Sequence, residues 1–173
     1  MNTVLKDLRV IALAHGWAGP LVGEMLGDFG ADVIKVESCQ RPDWLRTVGL
    51  IAGGTSETIE SPWEWGTTFN STNHNQRSVT LELSSFEGKE LFRKLISISD
   101  VMVENFAPRV LGQLGITYED LRQINPSLVL LSMPMYGHSG PWAEYVGYAQ
   151  TSESLAGIAS LCGYEGDTPV LQG

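Results

Sequence analysis

Residues 8–37, LRVIALAHGWAGPLVGEMLGDFGADVIKVE, constrain the architecture of this chain more than any other stretch. The apolar run from Leu8 to Ala14 is rich in branched side chains. Such a run suits a strand buried on both faces, as in a parallel sheet. The polar turn His15-Gly16-Trp17 follows. Leu21, Val22, Met25, Leu26 and Phe29 then recur at helical spacing, with Pro20 suited to a first helical turn and Gly30 to a C-terminal cap. A second strand begins at Ala31 and ends at Glu37. The spacing therefore predicts a β-α-β unit, with a loop and helix N-terminus where an anionic ligand can sit.

Downstream, the same alternation continues. A polar loop at 38–46 carries Arg41 and Arg46, and residues 47–66 show little periodicity, as expected of a functional or mobile loop. The pattern predicts a strand at 78–83 and a helix opened by a capping box from Ser84 to Glu87. It then predicts a strand at 100–104, a helix from Pro108 to Leu114 and a short helix capped by Thr117 to Asp120. A strand at 128–132, a Gly/Pro-rich loop at 134–141 and a helix at 150–161 complete the chain. Alternating strands and helices imply a Rossmann-like α/β domain over residues 1–173, a mostly parallel sheet with helices on both faces. Ligands in such sheets bind at the carboxyl ends of the strands. Here those ends carry His15 to Trp17, Glu37-Ser38, Asn105 to Ala107 and Met133 to Met135.

Composition narrows the function. A net charge of −9 argues against nucleic acid, which needs clustered Lys and Arg to neutralise phosphates. No run of residues is apolar enough for a membrane span, and no secretory leader opens the chain, so a cytoplasmic protein is expected. Cys39 and Cys162 match no metal spacing and read as free thiols. His15, His74 and His138 fall in separate loops, so no metal is expected. There is no GxGxxG turn, no GxxxxGK[ST] loop and no GxSxG elbow.

The chain nevertheless resembles the N-terminal part of the family III CoA-transferases, the group of formyl-CoA and carnitine CoA-transferases. The resemblance is carried in order by LKDLRVIAL, Ala18-Gly19-Pro20, GADVIKVE at 30–37, Asp43 with Arg46, and NHNQRSVTLEL at 73–83. It continues through EGKELFRKL, DVMVENFAP at 100–108, LGITYEDLRQINPSLVLLS at 114–132 and GHSGPW at 137–142. What it implies is transfer of coenzyme A from an acyl-CoA to a carboxylic acid. An aspartate attacks the thioester, and an aspartyl-CoA thioester follows a mixed anhydride.

The resemblance also implies a CoA site. His15, Trp17 and Ala18 would stand in its first turn, and Leu81 to Ser84 along the adenine. Asn105, Phe106 and Ala107 would bracket the cofactor. Ser38 stands where the family often has Arg, so either Arg41 or Arg46 would take over the nucleotide contact, or phosphate binding would be weaker. Plainer readings stand beside these: a loop histidine at His15, a turn residue at Asn105, surface charges at Arg41 and Arg46. Gln76-Arg77 replaces a common Lys-Arg. Ala149 stands where related α-methylacyl-CoA racemases have an acid, which argues against racemisation. Asp167 matches a variable turn and not the nucleophile, which the family places a few residues beyond Gly173. The expectation is thus a truncated N-terminal CoA-binding domain, inactive alone, from a homodimeric enzyme. The alternative is a non-catalytic CoA-binding subunit that needs a partner chain.

Overall fold

A computed structural model describes residues 3–48 and 61–170. Most of the 47–66 stretch thus lies outside the described residues. Two compact units emerge, one of residues 1–106 and 110–133, the other of 107–109 and 134–173.

The first unit is built on five strands: β1 (Arg9–Leu13), β2 (Asp32–Glu37), β3 (Gln76–Thr80), β4 (Val101–Glu104) and β5 (Val129–Ser132). They pair in the order β3-β2-β1-β4-β5, every pair parallel. β1 is central because Val10, Ile11 and Ala12 are wholly buried, which only a strand covered on both faces achieves. The period of two sends alternate residues to opposite faces. Ile11 and Leu13 join Val36 and Met102 in one core cluster, and Val10 and Ala12 join Val33 and Val103 in the other.

Helix α1 (Ala18–Asp28) packs Val22 and Leu26 on the second face, whereas Met25 and Phe29 from the same apolar stripe stay more than half exposed. Gly30 ends α1 at φ +99°, a left-handed conformation that a side chain would strain. The first face is covered by α4 (Phe86–Ser97) through Phe92 and Ile96. It is also covered by α5 (Arg109–Leu114) through Leu111 and Leu114, and by α6 (Tyr118–Ile124) through Leu121. Thr117 and Asp120 form the reciprocal capping box expected for α6.

Several boundaries differ from expectation. The polar segment 67–72 forms a helix, α3 (Thr67–Thr72), with no apolar period to announce it. It buries Phe69 and Thr72. α2 (Leu45–Val48) likewise interrupts what reads as loop. β3 begins at Gln76 and ends at Thr80, so Leu81 and Leu83 lie past the strand. α4 is capped by Ser85, whose hydroxyl accepts from the Gly88 N–H at 3.0 Å, and not by Ser84.

In the second unit, α7 (Ala149–Leu155) stops early. Gly157 turns left-handed at φ +77°, and a separate 3-10 turn (Ile158–Leu161) follows, so the expected helix at 150–161 is two elements. Tyr136 meets Trp142 and Tyr145 edge-on, at ring separations of 6.0 and 6.3 Å. None of the described helices is long and apolar enough to cross a membrane.

Candidate CoA-binding site

Strand order reverses between β1 and β4, since β1 runs on to β2 on one side and receives β4 on the other. The loops after such strands diverge and leave a crevice. A cavity of about 460 Å³ lies at the carboxyl ends of β1, β2, β3 and β4. That volume falls in the usual range for small-molecule sites. Its apolar lining comes from Leu13, Val36, Leu81, Leu83, Phe106 and two residues of α5, Val110 and Leu114. Its polar lining comes from His15, Glu37, Ser38, Gln40, Arg41, Glu82 and Ser84.

The wall is held by hydrogen bonds that cross the switch point. Asn105 grips the His15 backbone from both ends: its Oδ1 accepts from the His15 N–H at 3.0 Å and its Nδ2 donates to the His15 carbonyl at 2.8 Å. The Phe106 ring meets the His15 imidazole edge-on at 5.4 Å. Burial holds His15 below its ordinary value of 6.5. The Asp43 charge opposes this, and that of Lys35 reinforces it. The imidazole is therefore neutral at pH 7. On the opposite wall Glu82 accepts from the hydroxyls of Ser38 at 3.0 Å and Ser84 at 2.6 Å.

Beneath the first turn lies a buried charge network that sequence reasoning missed. Lys35 is 1% exposed and Asp43 0%, and their ammonium and carboxylate meet at 3.0 Å. Lys35 also donates to the Ala14 carbonyl at 2.8 Å. Asp43 accepts from the N–H of Gly16 at 3.0 Å and of Leu45 at 3.1 Å. Burial pushes the Lys35 ammonium down, with Asp43 pulling the other way. Glu37 accepts the Asp43 N–H at 2.9 Å and takes two hydrogen bonds from Arg46, at 3.0 and 2.6 Å. Burial alone would raise the Glu37 carboxyl; the Arg46 and Asp43 hydrogen bonds and the Lys35 charge outweigh it and leave it low. The Arg46 guanidinium carbon sits over Phe69, 3.6 Å from the ring centre. The sequence signals for this network were a lysine inside the apolar VIKV run with an aspartate eight residues on, and the pairing of Asp43 with Arg46 among the stretches that carry the resemblance.

The structure brings together His15, Ser38, Leu81, Ser84 and Phe106 around the cavity. The other site residues lie elsewhere. Trp17 and Ala18 are exposed at the start of α1, and no side chain caps that helix. The amides of His15 and Gly16 are already taken by Asn105 and Asp43. Arg46 is committed to Glu37, Asn105 acts through the His15 backbone, and Ala107 belongs to the second unit. Arg41 lines the cavity and forms no ion pair among the described residues. It is the guanidinium available to an anion.

A separate cluster could hold a cation. Glu24, Asp28 and His74 each point one ligating atom to a common place on the far side of α1 from its start, all within 4.8 Å of one another. The linear spacing of these residues gave no hint of it.

The low Glu37 and His15 values set an acid limit with a definite sign. The unfolded chain takes up a proton on His15 more readily than the fold does. Stability therefore falls as pH drops through 6.5 towards the lower folded value. The Glu37 contribution is present above its ordinary value of 4.5 and is lost as pH falls through the lower folded value. Urea midpoints measured between pH 8 and pH 3 are expected to fall in two stages. His15→Gln should remove the upper stage; an unchanged upper stage in that variant would contradict the assignment.

The family model for CoA-transferase family III matches residues 5–173. The chain is 36% identical over 171 residues to a succinate–glutarate CoA-transferase of Agrobacterium fabrum, covering 98% of this chain and 42% of that one. It is 39% identical over 169 residues to the beta subunit of a succinyl-CoA–L-malate CoA-transferase of Chloroflexus aurantiacus, covering 98% and 40%. The crystal structure of a CAIB/BAIF family protein from Brucella suis superposes with a TM-score of 0.87 at 39% identity, over 100% of this chain and 44% of that one. The chain thus spans about two-fifths of the length of the relatives it matches. On these grounds the chain belongs to CoA-transferase family III.

Proposed function

We propose that this chain is the N-terminal, CoA-binding portion of an enzyme that moves coenzyme A from an acyl-CoA donor to a carboxylic acid. The carrying observation is the cavity at the strand-order reversal, with an apolar lining that includes Phe106 and, at Arg41, a guanidinium that forms no ion pair among the described residues. The lining suits a pantetheine arm or a purine, and Arg41 suits a phosphate, which a guanidinium engages through two parallel hydrogen bonds. The neutral His15 imidazole offers one donor and one acceptor there.

Two carboxylates line the cavity, and both are occupied. Glu37 holds Arg46 and the Asp43 amide, and Glu82 holds Ser38 and Ser84. Neither is free to attack a thioester, so among the described residues the cavity offers no carboxylate nucleophile. On this reading the nucleophilic aspartate of the transfer reaction belongs to residues outside this stretch, and the chain alone would bind CoA without turning it over. In the whole enzyme the full reaction would run in a cytoplasmic homodimer. A second reading, a CoA-binding subunit that works with a partner chain, draws support from the Chloroflexus relative, which is itself one subunit of a transferase.

The test is calorimetric titration of CoA into the isolated chain, alongside an assay for CoA exchange. Binding without exchange is expected, and Arg41→Ala should weaken binding about tenfold through loss of a charge-assisted contact. Exchange by the lone chain, or affinity unchanged in Arg41→Ala, would overturn this reading. Exchange that appears only on adding a second, different polypeptide favours the subunit reading.

A further inference from the structure

The cluster at the carboxyl end of α1 is electrostatically incomplete. Glu24 and Asp28 stand one helical turn apart, so their like charges repel. Both lie in the second half of α1, near the negative end of the helix dipole, and no basic residue occupies its last turn. The turn before β3 answers with His74, whose Nδ1 lies 3.3 Å from Glu24 Oε2 and whose Nε2 lies 3.2 Å from Asp28 Oδ1. The neighbouring Asn75 Nδ2 donates to Asp28 Oδ1 at 2.6 Å.

An independent observation concerns Glu24 itself. The residue is only 9% exposed, and its Oε2 is buried without a hydrogen bond, since the His74 contact lacks hydrogen-bonding geometry. A buried carboxylate oxygen left in that condition is costly. It is aimed into the cluster, where His74 and Asp28 keep half-exposed side chains that can adjust around an ion. One ligating atom from each of the three residues lies within 4.8 Å of the other two, close enough for small side-chain movements to bring all three onto one ion.

We propose that Glu24, Asp28 and His74 form a binding site for a divalent transition-metal ion that staples the end of α1 to the turn before β3. One imidazole with two carboxylates suits zinc, and also cobalt, better than magnesium, which prefers oxygen alone. One nitrogen of His74 would ligate, so the ring must turn to bring it towards both carboxylates, which its exposure allows. The site lies apart from the cavity and does not depend on the CoA reading.

The test uses the whole untagged chain with zinc chloride as probe, read by calorimetry and by the thermal midpoint. One zinc per chain is expected, with the midpoint raised by a few degrees, since a ligand that binds only the fold stabilises it. Magnesium chloride at equal concentration should leave the midpoint unmoved. His74→Ala and, separately, the shape-conserving Glu24→Gln should each weaken zinc binding at least tenfold. Cobalt should give a visible absorption band that His74→Ala abolishes. Absence of zinc binding, an equal response to magnesium, or zinc affinity unchanged in both variants would overturn the proposal.

Discussion

Asp43→Ala is expected to lower the unfolding free energy by about 3–5 kcal/mol, the usual cost of removing one partner from a buried ion pair. Asp43 has no exposed surface, and its carboxylate serves three groups at once: the Lys35 ammonium and the amides of Gly16 and Leu45. Truncation leaves Lys35 with the Ala14 carbonyl as its remaining hydrogen-bond partner among the described residues, in a place where burial already disfavours its charge. Loss of the Lys35 proton limits the penalty but does not remove it.

Lys35→Met should cost less than Asp43→Ala, because Asp43 keeps its two backbone donors. The double variant Lys35→Met/Asp43→Ala should recover only part of the loss. Neutralising both charges still strands the Gly16 and Leu45 amides, at about 1–3 kcal/mol for each buried donor left unsatisfied. Urea unfolding of the three variants checks the order. A loss below about 1 kcal/mol for Asp43→Ala would show that the network contributes little. The Gly16 turn borders His15, so CoA affinity should fall in the same variant even below its melting temperature.

Gly88→Ala is the second large effect. A Cβ on Gly88 would stand 2.0 Å from the Glu82 carbonyl oxygen and 2.6 Å from its carbon. These are backbone atoms with no rotamer to change, so the first turn of α4 or the loop at 82–85 must move. Overpacking of this kind costs about 1–3 kcal/mol, and the upper end is expected because the neighbour is main chain. The same loop presents Glu82 and Ser84 to the cavity, and Ser85 caps α4 through the Gly88 amide. CoA binding should therefore weaken together with stability. As a control, Gly112→Ala inside α5, where a Cβ would meet nothing within 4 Å, should leave CoA binding unchanged and raise stability slightly, by about 0.5–1 kcal/mol. Thermal melts and CoA titration of the two alanine variants decide the matter; equal behaviour would refute the steric argument.

The parts of this fold legible in the sequence are those written in a period. The run at 8–14 announced β1, the stripe of α1 its helix, and Thr117 with Asp120 the cap of α6. Parallel pairing followed from the alternation of elements, and with it the crevice at the strand ends. The errors fall where polar residues take on structure through tertiary contacts. Segment 67–72 carries no apolar pattern, yet it is helical because Phe69 is needed over Lys35 and Arg46. Arg46, read as one alternative for the nucleotide contact or as a surface charge, is held by Glu37, which in the sequence shows only as the end of a strand. Asn105 was placed correctly at the end of β4, but its hold on the His15 backbone depends on an approach that no local pattern encodes. His74 stands 46 residues from Asp28, beyond the reach of any spacing rule.

The clamp between Asn105 and His15 has a kinetic side. It joins positions 90 residues apart, and β1 meets β4 across nearly the same interval. Closing a loop of that length costs entropy before any contact repays it, and folds dominated by such long-range pairings form slowly. A chain emerging from the ribosome can pair β1 with β2 early. One flank of its middle strand, and the second wall of the cavity, must wait until residue 105 is free.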